Sequence, residues 1–100
     1  MIRQKLDDAA VSGRLSELQG WTLAKDGRAI EKHFVFKDFR EAFGFMTQCA
    51  LAAEKLDHHP EWSNVYRKVH VLLTTHSANG LTELDIQLAV LMDMAARDAA

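Results

Sequence analysis

Two adjacent histidines, His58 and His59, stand in "EKLDHHPEW", immediately before Pro60, the only proline of the chain. Further along come His76, in "TTHSANG", and Asp85, in "LTELDIQ". Histidine's ordinary pKa of about 6.5 lets it give and take protons near neutrality. Several imidazoles with a carboxylate to orient one of them are the parts needed for general acid–base catalysis. Glu54 precedes His58 by one helical turn, so it can reach back toward the pair. Two other readings fit the same spacing: a solvated loop that carries imidazoles, and a zinc site. Adjacent histidines point in different directions, and the chain has neither HExxH nor paired CxxC, so no zinc spacing is recognisable. His33 and His70 fall inside strand-like stretches and read as surface or edge residues.

The elements around these residues must hold them in place. Leu6, Ala9, Ala10, Leu15 and Leu18 predict a first helix, weakened by Gly13 and closed by "LQGW". "WTLAKDGRAI" predicts a hairpin, because Asp26-Gly27 suits a two-residue turn with positive φ at both positions. That register pairs Leu23 with Ile30. It puts Trp21, Leu23, Ile30, Phe34 and Phe36 on one face, with Lys32 as the exception. Asp38 is the expected N-cap of a helix running to about Leu56, with Glu41 placed as in a capping box. Phe39, Phe43, Met46, Ala50 and Ala53 form its expected core stripe, and Cys49 is expected in the core. Pro60 bars the helix from continuing.

"NVYRKVHVLLTTH" is strand-like, either one long strand or a hairpin turning near Arg67-Lys68. Thr82 then caps a last helix with Asp85 at its third position. That helix carries two apolar stripes: Leu84, Leu88, Leu91 and Ala95, and Ile86, Val90 and Met94. A helix apolar on two sides is covered on two sides, here by the sheet and by a second subunit. Helices on one face of an antiparallel sheet make an α+β fold.

The length predicts one domain over residues 1–100. A charge of −2 argues against a basic nucleic-acid surface. One cysteine allows no internal disulfide, which fits a reducing compartment. No apolar run is long enough for a membrane span, and "MIRQKLDDAA" lacks the apolar core of a signal peptide. A cytoplasmic protein is expected.

Glu54, His58-His59-Pro60, Tyr66, His76 and Asp85 together resemble the signature of the pterin-4a-carbinolamine dehydratases. "LQGW" and the text before the second helix are similar too, so the resemblance spans roughly Leu18 to Leu91; the residues before it carry no such signal. The resemblance implies a four-stranded antiparallel sheet with helices on one face, in the order α-β-β-α-β-β-α. It implies a homodimer or homotetramer. The implied reaction, that of a hydro-lyase, removes water from 4a-hydroxytetrahydropterin to give quinonoid dihydropterin. This recycles the cofactor of aromatic amino acid hydroxylases and needs no metal, nucleotide or redox cofactor.

By the same resemblance, His58 and His76 are the acid–base pair. His59 binds and positions the pterin and shares the proton work, and Asp85 orients an imidazole. Asp57, Thr74, Thr75, His76 and Ser77 line the pterin's polar edge, Glu54 joins them as a substrate-binding residue, and Trp62 either shapes the pocket or packs. Leu84 stands where some members carry a basic residue, which bears on substrate preference. Two rival readings remain: a protein-binding coactivator module on the same scaffold, and a dehydratase-like protein of molybdopterin metabolism.

Overall fold

The Asp26-Gly27 turn sets the first register. Strand β1 (Thr22–Ala24) pairs antiparallel with β2 (Ala29–Val35), and Leu23 lies opposite Ile30. The Arg28 N–H donates to the Lys25 carbonyl across Asp26 (φ 57°) and Gly27 (φ 84°), so both central residues adopt the positive φ that such a turn requires. Lys25 is also left-handed, at φ 51°, and the ladder therefore starts only at Ala24 and Ala29. The coordinates are a computed structural model that describes residues 3–99; Met1, Ile2 and Ala100, the ends of the expected 1–100 domain, lie outside the described residues.

The second strand-like stretch is a hairpin. Strands β3 (Glu61–Val65) and β4 (Lys68–Leu73) turn at Tyr66-Arg67, with Tyr66 at φ 54°. The Asn64 side-chain amide closes this turn by donating to the carbonyls of Tyr66 (3.0 Å) and Lys68 (2.9 Å). The sheet order is β1-β2-β4-β3, antiparallel throughout. Strand parity sends Ile30 and Phe34 of β2 and Val69, Val71 and Leu73 of β4 to one face, where they join the core with α2 (Phe39–Leu56) and α3 (Glu83–Ala99). The short helix α1 (Asp8–Leu15) starts at an Asp7 cap and contributes Val11 to the core. Leu6 and Leu18, expected within it, lie beyond its ends, and both still pack on the core.

Two expected stripes need correction. In α2 the buried side is Ala42, Phe45, Cys49 and Ala53, whereas Phe39 and Phe43 are 46% and 56% exposed. The helix is apolar on more than one side, and the Phe34–Phe36–Phe45 cluster, with centroids 4.7 and 4.9 Å apart, selects the side that turns inward. In the first hairpin Leu23 shares the face of Ile30 but is 52% exposed, because it sits on a three-residue edge strand that the helices only partly cover. Lys32 does face inward. Its ammonium donates to the Asp93 carboxylate at 2.8 Å and the Gln19 carbonyl at 2.9 Å, and lies over the Phe34 ring. The indole N–H of Trp21 donates to the same carboxylate, so an ion pair completes the core at this edge. Among the described residues, no helix is long and apolar enough to cross a membrane.

Candidate active site

The end of α2 places His58. Asp57 adopts the left-handed conformation (φ 53°, ψ 44°) and its N–H donates to the Glu54 carbonyl, while the His58 N–H reaches back to Ala53 at 3.0 Å. This pair of bonds is a Schellman closure, which satisfies the last helix carbonyls and reverses the chain. The residue after the left-handed position commonly folds back onto the helix. Here that residue is His58, and its side chain is buried.

The start of α3 places its partner. Asp85 is fully buried and uses both carboxylate oxygens. Oδ2 accepts from the Thr82 N–H at 2.9 Å and from the Thr75 hydroxyl at 2.8 Å. The Thr82 hydroxyl in turn accepts from the Leu84 N–H, completing a reciprocal cap of the helix start. Thr75 and Thr82 hydroxyls are 2.8 Å apart. Since Thr75 gives its proton to Asp85, Thr82 donates to Thr75. Oδ1 is left for His58, whose Nε2 lies 2.6 Å away. A carboxylate only accepts, so Nε2 carries the proton, and a neutral His58 has Nδ1 as its basic atom. Every described buried side-chain polar atom has a partner, so this buried charge is fully satisfied.

Around His58 lies an open cavity of about 270 Å³, lined by Arg3, Asp57, His58, His59, Thr74, Thr75, His76 and Ser77. The other two motif histidines are solvent-exposed and each is tethered by a glutamate. His59 Nε2 lies 2.8 Å from Glu54, and His76 Nε2 lies 3.0 Å from Glu61. His76 opens a short 3-10 helix (His76–Ala78) directly after β4. The Thr74 hydroxyl donates to the Arg28 carbonyl at 2.6 Å, which ties this wall to the first hairpin. A larger hollow, about 380 Å³, lies between Lys37, Asp38, Arg40, Glu41, Gly44, Gln48 and Ala99. It contains no imidazole or thiol, and the smaller cavity is the one equipped for proton transfer.

The fold thus gathers Asp57, His58, His59, Thr74, Thr75, His76 and Ser77 around one cavity, with Glu54 against His59 at its rim and Asp85 behind His58. Trp62 is the exception. Its position opposite Val71 puts it on the core face of β3, where it packs half-buried, and it does not line the cavity. Strand parity puts its neighbour Glu61 on the opposite face, and there Glu61 meets His76. Arg3 is the other residue that spacing did not single out. Its guanidinium donates to the Asp57 carbonyl at 2.9 Å, and nothing near it in the sequence signals that contact.

Comparison with known proteins identifies the family. Residues 4–95 match the family model described as pterin 4 alpha carbinolamine dehydratase. A protein of Sinorhizobium medicae, provisionally named a pterin-4-alpha-carbinolamine dehydratase, is 63% identical over 96% of this chain and 91% of its own length. One of Chelativorans with the same provisional name is 62% identical over 93% of this chain and 95% of its own. The crystal structure of a transcriptional coactivator/pterin dehydratase from Brucella melitensis superposes with a TM-score of 0.90 at 52% identity, covering 93% of this chain and 99% of that one. A pterin dehydratase-like RuBisCO assembly factor of the alpha-carboxysome, 20% identical with a TM-score of 0.69, covers 78% of this chain and 90% of its own and shares the fold. On the extent of these matches, the chain belongs to the pterin 4 alpha carbinolamine dehydratase family.

Proposed function

We propose that this protein is a hydro-lyase that converts 4a-hydroxytetrahydropterin to quinonoid dihydropterin and water, recycling the cofactor of aromatic amino acid hydroxylases. The observation that carries the proposal is the buried Asp85–His58 pair at a cavity flanked by two further imidazoles. The reaction cleaves the C4a–O bond, forms a C4a=N5 double bond and releases the N5 proton, with no net oxidation. It therefore asks for one acid and one base. His58, held in one tautomer by Asp85, takes the N5 proton on Nδ1, and the resulting imidazolium stays paired with the carboxylate. His76, tethered by Glu61, delivers a proton to the departing hydroxyl. Each transfer contributes about 10²–10⁴ in rate. His59, tethered by Glu54, holds the ring, and the polar groups of Asp57, Thr74, Thr75 and Ser77 suit the amide and amino edge of a pterin. The Asp85 network alone would serve any member of this scaffold, but the exposed His59 and His76 beside the same cavity have no structural task, which favours the enzyme over a coactivator module.

The test is a spectroscopic dehydration assay in which a hydroxylase generates the carbinolamine in situ. His58→Ala and His76→Ala are expected to lower kcat, and His59→Ala mainly to raise KM. His70→Ala lies outside the cavity and is expected to match the wild type. An inactive wild-type protein, or full activity in both His58→Ala and His76→Ala, overturns the proposal.

A further inference from the structure

The outer face of the sheet carries a second cluster of ligating side chains. Glu31 and His33 are two residues apart on β2 and therefore share a face, and the register sets His33 directly opposite His70 on β4. The two imidazoles stack with centroids 4.3 Å apart and planes 27° apart. His70 Nε2 lies 3.2 Å from the Glu31 carboxylate. One ligand atom from each of the three residues falls within 4.8 Å of the other two. None of them lines the catalytic cavity.

We propose that Glu31, His33 and His70 form a surface binding site for a divalent transition-metal ion of the zinc class. Zinc–nitrogen and zinc–oxygen bonds of about 2.0–2.2 Å in a tetrahedron require ligand atoms about 3.3 Å apart. The His70–Glu31 pair already has that spacing. His33 is the most exposed of the three and is free to rotate about its side-chain torsions to complete the set. Two imidazoles and one carboxylate suit zinc, cobalt, nickel or copper, whereas magnesium and calcium take oxygen ligands. Three protein ligands leave the fourth position to water. The carboxylate offsets half of the ion's charge, and the strands on which the ligands sit are hydrogen-bonded to each other, so the ligands' backbone positions are fixed. Binding pins β2 to β4 and adds to folded-state stability by mass action.

The probe is zinc, titrated calorimetrically into untagged protein, with cobalt absorption reporting coordination. One equivalent per chain is expected, with a rise in the thermal midpoint. His33→Ala, His70→Ala and Glu31→Gln should each weaken binding at least tenfold, whereas His59→Ala and His76→Ala should leave it intact. Circular dichroism establishes that the outer-face variants fold. Absence of zinc binding, equal binding in the outer-face variants, or loss of binding in the cavity variants overturns the site. Dehydratase activity has no part in this readout, so the site and the proposed function fail independently.

Discussion

Replacing Asp85 with asparagine tests the network at its centre. The change is isosteric and opens no void, so its effects come from charge and hydrogen-bond direction alone. The Thr82 backbone N–H, 2.9 Å from Oδ2, is a donor in every state, so the new amide must keep its oxygen on that side. Its NH₂ group then faces His58 Nε2, where the carboxylate accepted at 2.6 Å. Two donors cannot pair. His58 must move its proton to Nδ1 and accept at Nε2, which makes Nδ1 a donor and removes the proposed base. Three bonds to a charged acceptor become neutral ones, at about 1 kcal/mol each, for a total of about 3 kcal/mol. In a domain of this size each kcal/mol moves the midpoint by about 4–8 °C, so a fall of roughly 12–24 °C is expected in thermal unfolding. On the proposed reaction, kcat should fall by about 10²–10⁴. Nitrogen NMR of the His58 ring reads the tautomer directly: Nε2–H in the wild type and Nδ1–H in the variant. An unchanged tautomer with unchanged kcat and midpoint would refute the reasoning.

The Cys49 thiol, pushed by burial from 9.0 up to about 12, should resist iodoacetamide at pH 8 until the protein is unfolded. The folded state keeps that proton when the unfolded chain has lost it, so stability should fall by about 1.4 kcal/mol per pH unit above pH 9 until about pH 12; an alkaline denaturation series shows whether Cys49→Ala flattens this slope, and an equal slope in the variant rejects it. Asp57→Gly relieves a left-handed non-glycine residue at φ 53° and should stabilise by about 0.5–1 kcal/mol in urea unfolding; a destabilised variant speaks against the closure described for α2. Phe39, Phe43, Leu51, Val90, Leu91 and Met94 leave much apolar surface on α2 and α3, so sedimentation at micromolar concentration should give at least a dimer, and a single 11.3 kDa species would contradict that expectation.

What the sequence discloses depends on how far apart the interacting residues lie. The Asp26-Gly27 turn and the Asp38 cap are set by neighbours, and both are legible from a few letters. Even there the box is loose: the Glu41 carboxylate accepts from the Lys37 N–H. The inward side of α2 is not legible, because Phe39 and Phe43 are as apolar as Phe45 and only the aromatic cluster on β2 distinguishes them. Strand partners are hidden for the same reason. His33 and His70 read separately as surface residues, and the β2–β4 register alone makes them a stacked pair.

Asp85 shows why most of the cavity-lining residues could be named from the sequence while the bonds among them could not. Read from spacing, it has two separate uses, as a helix-capping residue and as the carboxylate that orients an imidazole. The structure gives one oxygen to each: Oδ2 to the Thr82 N–H and the Thr75 hydroxyl, Oδ1 to His58. The start of α3 and the orientation of His58 are therefore one constraint. Thr75, at the end of β4, belongs to it as well, so a single carboxylate locks the ends of α2, β4 and α3 in register around the cavity. A substitution there cannot impair the chemistry without loosening the scaffold. On the proposed reaction, loss of kcat without loss of stability is expected at His76, whose exposed ring and Glu61 tether stand outside that lock.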